Sequence, residues 1–297
     1  MTNHSTIEAR AYAAWLAVCL VWGTTYLAIR IALAGVPPFL MAAIRFTLAG
    51  AILVVFLKAR RERIPPLSSW PSLGALGVLL VGCGNGGVVW AEQTVPSGLT
   101  AVLVAAIPFW MVAVEFVLGT AEPLSARRLL GLLIGFAGIV LLVWPELRLG
   151  SGRPFLVGVL STQLACLGWA IGSSYARRRD AEENVLGAAA VQMMLGGMAL
   201  LVVSTALGEW SALALTRRTL VAMAYLTVIG SVAGFSAYAY ALKHLPVSTV
   251  SLYAYVNPVI AVALGTIILG EPFGLRIAAA DGVVLLGMAL VRPRAAH

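Results

Sequence analysis

Ten apolar runs, each about as long as a membrane-spanning helix, follow one another along the chain. A helix needs roughly 20 mostly apolar residues to cross a bilayer, and the connections between these runs are too short for a separate soluble domain. The runs are residues 11–32, 38–57, 72–93, 96–118, 127–144, 154–176, 185–206, 218–241, 246–269 and 274–292. They predict an all-α integral membrane protein with ten transmembrane helices.

Composition supports a protein whose partner is the lipid bilayer. Hydrophobic residues make up 61% of the chain and charged residues only 11%, whereas soluble domains have about 45–50% apolar and about 25% charged residues. The strand alternation of a membrane barrel is absent. Cys19, Cys83 and Cys166 all lie inside apolar runs, which indicates packing residues and no disulfide framework.

The positive charge of the chain indicates its orientation. A net charge of +8 suggests nucleic acid in a soluble protein, but here the basic residues lie at the ends of apolar runs. Alternate loops and both termini carry 13 Lys and Arg residues on one side, against six on the other. Cytoplasmic loops carry the excess of Lys and Arg. We therefore expect both termini in the cytoplasm, no nucleic-acid partner, and a first run that is retained as a helix and not removed as a signal peptide.

The two halves of the chain resemble each other. The stretch "PSGLTAVLVAAIP" aligns with "PVSTVSLYAYVNP" 150 residues later, and the alignment places Trp22 opposite Trp169 and Arg45 opposite Gln192. We expect a first repeat over residues 1–149 and a second over residues 150–297. Because five spans per repeat is an odd number, the second copy must cross the membrane upside down. Inverted repeats of this kind surround the central site of many alternating-access transporters.

Several stretches together resemble the drug/metabolite transporter superfamily, EamA branch. They are "VWGTTYLAIR", "PPFLMAAIRF", "GNGGVVWAEQTVPSG", "SLYAYVNPVIAVALG" and the paired "GTAEP" and "LGEP". The resemblance covers nearly the whole chain. It implies two inverted five-helix repeats in the bacterial inner membrane and export of small metabolites, with exporters of amino acids, including aromatic ones, as the nearest functional analogy.

Polar and aromatic side chains near the middle of the runs form the candidate substrate site. An aromatic-walled cavity with a few hydrogen-bonding groups is the usual form of a small-molecule pocket. The alternative is that these side chains pack the helices or lie at the membrane interface. The candidates are Trp22, Thr25, Tyr26, Asn85, Val89, Trp169, Ser173, Tyr238, Tyr253 and Asn257.

Arg45 and Glu92 are candidate charged groups near the same half of the membrane. Arg45 lies about seven residues into its run, some 10 Å deep, where an unpaired charge is costly. A guanidinium can bind a substrate carboxylate bidentately. It can equally form a structural pair with Glu92 or with a helix-end carbonyl, and both interpretations stay open.

Two further acids, Glu115 and Asp281, are candidates for carrying coupling protons, or they simply reach an interface. Pro108 and Pro258 occupy equivalent positions in runs four and nine. They predict kinks that either act as gating hinges or only shape the cavity. The Glu–Pro pairs at Glu122 and Glu271 predict N-terminal caps on the helices that follow them.

A G-x-G-x-x-G spacing at Gly82, Gly84 and Gly87 matches a dinucleotide-binding turn. That turn must follow a strand and open a helix in a soluble βαβ unit, whereas this one lies inside an apolar run. We interpret it as a packing segment in which Gly82 and Gly86 allow close helix contact and Asn85 faces the cavity.

Together these features predict a secondary transporter that exports small amphipathic metabolites. Aromatic or apolar amino acids are the preferred substrates, and alternatives are a multidrug, sugar or nucleotide-derivative transporter or a channel-like facilitator. The three histidines lie at ends or loops, and no metal-binding, phosphate-loop or triad pattern occurs, so we expect no enzyme, no cofactor and no metal. A monomer would suffice, and the oligomeric state stays open.

Overall fold

The structure, a computed structural model, describes residues 2–119, 126–148, 152–178, 184–245, 250, 253–271 and 274–291. The expected cap at Glu122 lies outside these residues. Within them the chain is helical, with no strand. Among these described residues, seven helices are long and apolar enough to cross a membrane, and three shorter apolar helices are Leu129–Leu141, Val256–Leu269 and Ile277–Gly287. The ten-span topology and the positions of the termini remain predictions.

The helices follow the expected runs closely. Each apolar run nucleates a helix because the backbone must satisfy its own hydrogen bonds where no water is available. The helices are α1 (Thr2–Ala32), α2 (Pro38–Ala59), α3 (Leu67–Ala91), α4 (Ser97–Val117), α5 (Ala126–Arg148), α6 (Gly152–Arg178), α7 (Val185–Ala206), α8 (217–244), α9 (Tyr253–Leu269) and α10 (Leu275–Val291).

Two helices contain a long π-helical segment. In α3 it covers Val78–Asn85, and in α8 it covers Leu226–Ala233. The two segments have eight residues each and begin 148 residues apart. π-helical geometry is rare, widens the helix and occurs frequently at functional sites. Because a π-helical turn holds more residues, the side chains on one side of these segments are spaced differently from those of an α-helix.

Helices of the first half pack against helices of the second half in a reciprocal pattern. α2 packs on α7, and α5 packs on α10. α1 contacts α8 and α9, while α6 contacts α3 and α4. This set of contacts is symmetric between the halves. If each helix is replaced by its equivalent in the other half, α1 becomes α6, α8 becomes α3 and α9 becomes α4, and the same contacts result.

The glycines of α3 differ in what they contact. A Cβ atom on Gly86 would lie 2.9 Å from Leu200 Cδ2, and one on Gly87 would lie 2.9 Å from Ala165 Cβ. A Cβ atom on Gly84 would lie 3.0 Å from Trp169 Cε3. On Gly82 it would meet only its own helix, with Val78 Cγ1 at 3.9 Å. Among the described residues no other helix comes within 4 Å of this Cβ position, so the expectation that Gly82 serves close helix packing is wrong.

Replacement of Gly50 by alanine is expected to destabilise the α2–α7 contact. A Cβ atom there would lie 2.6 Å from the Ala190 oxygen and 2.7 Å from the Met194 nitrogen, both backbone atoms that cannot rotate away. Overpacking of this kind costs about 1–3 kcal/mol. Thermal unfolding in detergent measures the change, with Gly82→Ala as the matched control. Equal melting temperatures for the two variants would contradict this close approach.

The two equivalent prolines act differently. α4 is interrupted at Ala105 and restarts at Ile107, so Pro108 occupies the first turn of a new helical segment, where its missing N–H costs nothing. Pro258 instead lies inside the continuous helix α9. Among the described residues, the helix thus breaks directly before Pro108 and continues through Pro258, and a gating hinge at either proline stays a prediction. The Cys166 thiol lies at the α4 break, with its sulfur 3.8 Å from the Leu103 oxygen and 3.9 Å from the Val104 oxygen.

Candidate functional site

Four aromatic rings meet where α1, α8 and α9 pack together. The Trp22 ring centroid lies 5.2 Å from Phe235, 5.2 Å from Tyr238 and 5.0 Å from Tyr253. Tyr238 and Tyr253 are edge-to-face at 6.0 Å. Edge-to-face and offset pairs with centroids about 4.5–7 Å apart are the favoured arrangements of aromatic rings. We call Trp22, Phe235, Tyr238 and Tyr253 the aromatic cluster; three of its members are sequence-predicted site residues.

Gly230, in the π-helical segment of α8, connects the aromatic cluster to Arg45. The Trp22 indole Nε1 donates to the Gly230 carbonyl oxygen at 3.2 Å. A Cβ atom on Gly230 would lie 3.1 Å from Thr25 Cγ2 and 3.4 Å from Arg45 Nη2. Arg45 is only 4% exposed, and its Nε donates to Ser231 Oγ at 2.8 Å. The indole, the Thr25 side chain and the guanidinium therefore surround a single glycine.

The hydrogen bonds of Arg45 differ from the expected ion pair with Glu92. The guanidinium donates to Ser231 and lies over the Phe46 ring, 4.6 Å from its centroid. Both oxygens of the Glu92 carboxylate lack a hydrogen-bond partner among the described residues. Among the described residues these two side chains thus form no structural pair, and the terminal nitrogens of the Arg45 guanidinium stay available for another acceptor.

Asn85 and Val89 do not join the aromatic cluster. The Asn85 amide donates to the Leu80 carbonyl oxygen of its own helix at 3.0 Å, closing the π-helical segment. Val89 is fully buried in the core between α1, α2 and α7. Neither side chain therefore contributes to the aromatic cluster.

Tyr26, Thr25 and Asn257 are buried close to the cluster and have roles in packing. Tyr26 packs on Ala101 and Ala261. Thr25 Oγ1 donates to the Trp22 carbonyl oxygen at 2.7 Å. The Asn257 amide nitrogen, in the orientation that satisfies it, donates to the carbonyl oxygens of Tyr253 and Cys19, each at 3.1 Å. Asn257 therefore fastens α9 to α1 beside the aromatic cluster.

Trp169 lies apart from the aromatic cluster but in an equivalent setting. It packs on Gly84 of α3, just as Trp22 packs on Gly234 of α8, where a Cβ atom would lie 2.6 Å from Trp22 Nε1. Gly84 and Gly234 are 150 residues apart. Each tryptophan therefore lies against a glycine of the other half. Ser173, one turn after Trp169, is half-buried.

Glu209 and Glu271 connect the two halves of the chain at one end of the molecule. We call this the Arg30 end; it contains Arg30, Glu92, Glu209 and Glu271. Glu209 accepts from the backbone N–H of Leu40 at 2.7 Å, at the start of α2. Arg30 donates to the backbone carbonyl of Glu92. These contacts satisfy helix-end groups that would otherwise lack partners.

The helix capped by Glu271 is not the expected one. Its carboxylate accepts from Ser97 N at 2.8 Å, Ser97 Oγ at 2.9 Å and Gly98 N at 3.1 Å, at the start of α4. The predicted cap on α10 is therefore wrong, although the chemistry of an acid at a helix N-terminus is the same. Sequence proximity suggested α10, whereas the fold brings α4 closer.

Glu271→Ala is expected to lower stability because it removes all three hydrogen bonds at the start of α4. Loss of a side-chain cap costs about 0.5–2 kcal/mol. Thermal unfolding of the purified protein measures the change, and Glu8→Ala, at an exposed position of α1, is the control. An unchanged melting temperature in Glu271→Ala would show that water replaces the carboxylate at this cap.

Glu115 and Asp281 lie outside the aromatic cluster. Both side chains are half-buried, and Asp281 Oδ1 is buried without a hydrogen-bond partner among the described residues. Among the residues that the structure describes, no group of three His, Cys, Asp or Glu side chains could hold a metal ion. The expectations of no metal and no cofactor stay predictions.

A separate open pocket of about 390 Å³ lies between the end of α3 and the start of α6. Its lining residues are Trp90, Gln93, Thr94, Arg153, Pro154 and Val157. None of these is a sequence-predicted site residue. Sequence reasoning also missed Gly230 and Ser231; their small side chains in "IGSVAGF", equivalent to the glycine-rich stretch of α3, are the signal that could have identified them.

Comparison with known proteins agrees with this architecture. The EamA-like transporter family matches the chain twice, over residues 9–144 and 156–292. The inner membrane transporter YedA of Escherichia coli (strain K12) is 35% identical over 286 residues, which cover 94% of this chain and 90% of YedA. Protein PecM of Dickeya dadantii (strain 3937) is 28% identical, covering 94% of this chain and 90% of PecM.

A solved crystal structure has the same fold. It aligns with a TM-score of 0.67 at 21% sequence identity, covering 95% of this chain and 96% of that chain. The double family match extends over both halves, and the relatives are named as transporters. The expected resemblance is thereby confirmed: the chain belongs to the EamA-like transporter family, within the drug/metabolite transporter superfamily.

Proposed function

We propose that this membrane transporter exports amino acids with aromatic or apolar side chains across the bacterial inner membrane. Two inverted five-helix repeats, residues 1–149 and 150–297, alternate access to a site formed by the aromatic cluster and Arg45. The inner-membrane location is supported by the similarity to YedA. Both termini face the cytoplasm, so the Arg30 end faces the outside.

The observation that carries the substrate class is the junction at Gly230. An amino acid presents a carboxylate next to its side chain, and Gly230 brings a guanidinium next to the Trp22 indole. A buried guanidinium binds a carboxylate strongly, since charge-assisted hydrogen bonds are about twice as strong as neutral ones. The rings of the aromatic cluster then offer an apolar surface to the substrate side chain.

The reciprocal helix contacts support the inverted repeats. A two-fold relation between the halves requires α1 to contact α8 and α9 wherever α6 contacts α3 and α4, and these are the contacts present. Transport in such a protein proceeds by rocking one half against the other. The Glu209 and Glu271 caps join the halves at the Arg30 end, which supports a conformation closed on that side.

Counterflow in liposomes tests this function. Purified protein is reconstituted into liposomes loaded with unlabelled phenylalanine, and accumulation of external labelled phenylalanine is followed. We expect saturable accumulation that leucine and tryptophan compete away and that glucose does not. Phenylalaninamide, which lacks the carboxylate, is the matched control and should compete poorly.

Other outcomes separate the alternatives. Flux that does not saturate and shows no counterflow indicates a channel-like facilitator. Saturable accumulation of sugars or amphipathic drugs without amino-acid competition contradicts the substrate class while leaving the transporter mechanism intact. Dependence on an imposed proton gradient, lost in Asp281→Asn or Glu115→Gln, would assign coupling to one of these acids.

A further inference from the structure

Glu92 occupies a fixed position at the Arg30 end. It follows α3 directly, and its backbone N–H donates to the Val88 carbonyl oxygen at 3.1 Å. Its own carbonyl accepts from the Arg30 guanidinium. The side chain is 0% exposed. Backbone bonds on both sides therefore hold this carboxyl group inside the protein.

The carboxyl group of Glu92 differs in its hydrogen bonding from those of Glu209 and Glu271 at the Arg30 end. Glu271 accepts three hydrogen bonds and Glu209 accepts from the start of α2. Neither oxygen of Glu92 has a partner among the described residues. Hydrogen bonds from the protein thus stabilise the carboxylates of Glu209 and Glu271, whereas the carboxyl group of Glu92 is buried without a donor among the described residues.

The neighbouring charges act on Glu92 in opposite directions. Titratable groups face it from α1, α2 and the end of α9, and α6 brings one cation to the adjoining open pocket. They are Tyr26, Arg30, Arg45, Glu271 and, in the pocket, Arg153. The cations on α1 and α2 favour the charged form, whereas Glu271 opposes it.

Burial determines whether the charged or the neutral form of the Glu92 side chain is favoured. Arg30 donates to the backbone carbonyl of Glu92 and Arg45 donates to Ser231, so neither guanidinium hydrogen-bonds the Glu92 carboxylate. A buried carboxylate without hydrogen-bond donors is far less stable than the neutral acid. The neutral acid is therefore the form compatible with this closed arrangement.

We propose that the Glu92 side chain is a proton-binding site, filled when the Arg30 end is closed and emptied when that end opens to water. Closure joins one proton to one carboxylate oxygen, and opening returns the proton to the medium. The link to transport rests on the proposed function. Because the Arg30 end then faces the outside, each closure takes up one proton from the outer side.

Infrared spectroscopy of the full-length protein in liposomes tests the site without any substrate. At neutral pH we expect a protonated-carboxyl band that shifts in D₂O, is absent in Glu92→Gln and moves in frequency in Glu92→Asp. Glu271→Gln is the matched control and should keep the band. The proposal is overturned if the band is absent in the unsubstituted protein, or if it persists in Glu92→Gln.

Asp281→Asn separates the buried Glu92 from the half-buried Asp281. Loss of the band in Asp281→Asn together with its retention in Glu92→Gln would place the proton on Asp281 and overturn the proposal. Should Glu92→Gln fail to fold, Glu92→Asp decides, because an unshifted band then shows that another group carries the proton.

A second measurement addresses opening. With a pH-indicator dye outside the liposomes, addition of phenylalanine is expected to release protons from the unsubstituted protein and none from Glu92→Gln. If phenylalanine counterflow itself is absent while the infrared result holds, the proposed function fails and the proton site stands. If counterflow is present but proton release is equal in both proteins, the linkage of Glu92 to opening is overturned.

Discussion

Arg45→Gln is expected to lower kcat/KM for amino-acid transport by roughly tenfold to a hundredfold, because a hydrogen bond to a charged group contributes about 1.5–3 kcal/mol and about 1.4 kcal/mol corresponds to tenfold. Glutamine can still reach Ser231 Oγ, so the α2–α8 contact that Arg45 makes is retained in part. Initial counterflow rates measure the change, with rates for the amide of the same amino acid as reference.

The amide provides the discriminating comparison for Arg45. Since phenylalaninamide has no carboxylate to lose, its slow transport should be the same in Arg45→Gln and in the unsubstituted protein. Gln192→Ala, at the position equivalent to Arg45 in the second half, is the control variant and should transport normally. An equal fractional loss for acid and amide would mean that Arg45 supports the helices and does not bind the substrate.

Trp22→Ala is expected to abolish transport, with a loss of at least roughly a hundredfold in rate. The substitution removes the ring that contacts all three other members of the aromatic cluster, as well as the hydrogen bond to Gly230. Truncating a buried aromatic side chain costs about 3–5 kcal/mol in proteins, so the melting temperature must be recorded beside the counterflow rate.

Two further variants distinguish the possible causes of the loss of transport in Trp22→Ala. Trp22→Phe keeps a ring but not the indole N–H, so it should retain folding and lose only severalfold in rate. Trp169→Ala truncates the equivalent tryptophan, which lies outside the aromatic cluster, and should reduce transport less. A larger loss in Trp169→Ala than in Trp22→Ala would move the substrate site to the α3–α6 contact.

Helix positions could be predicted from the sequence because the bilayer fixes the length of an apolar run. Trp22, Tyr238 and Tyr253 are all among the sequence-predicted site residues, and the structure brings their rings together. Aromatic side chains inside apolar runs are visible in the sequence itself. Part of the aromatic cluster could therefore be predicted from the order of residues alone.

Features set by hydrogen-bond register could not be predicted in this way. An apolar run of α-helix and one with π-helical turns have similar compositions, so nothing in "VLLVGCGN" distinguishes them. The two prolines show the same limit: Pro108 follows a break at Ala105 and Pro258 does not. The partner of Glu271 depends on contact between distant helices, which sequence neighbours cannot reveal.

The two π-helical segments bear on the ancestry of the chain. A π-helical turn holds more residues than an α-helical turn, so a helix can absorb an inserted residue in such a turn without ending. Here the segments begin 148 residues apart, within two residues of equivalent places in the aligned halves. If the halves arose by gene duplication, one insertion before that event accounts for both. The single five-helix ancestor then already carried the widened helix, and its descendants kept two copies facing opposite sides of the membrane.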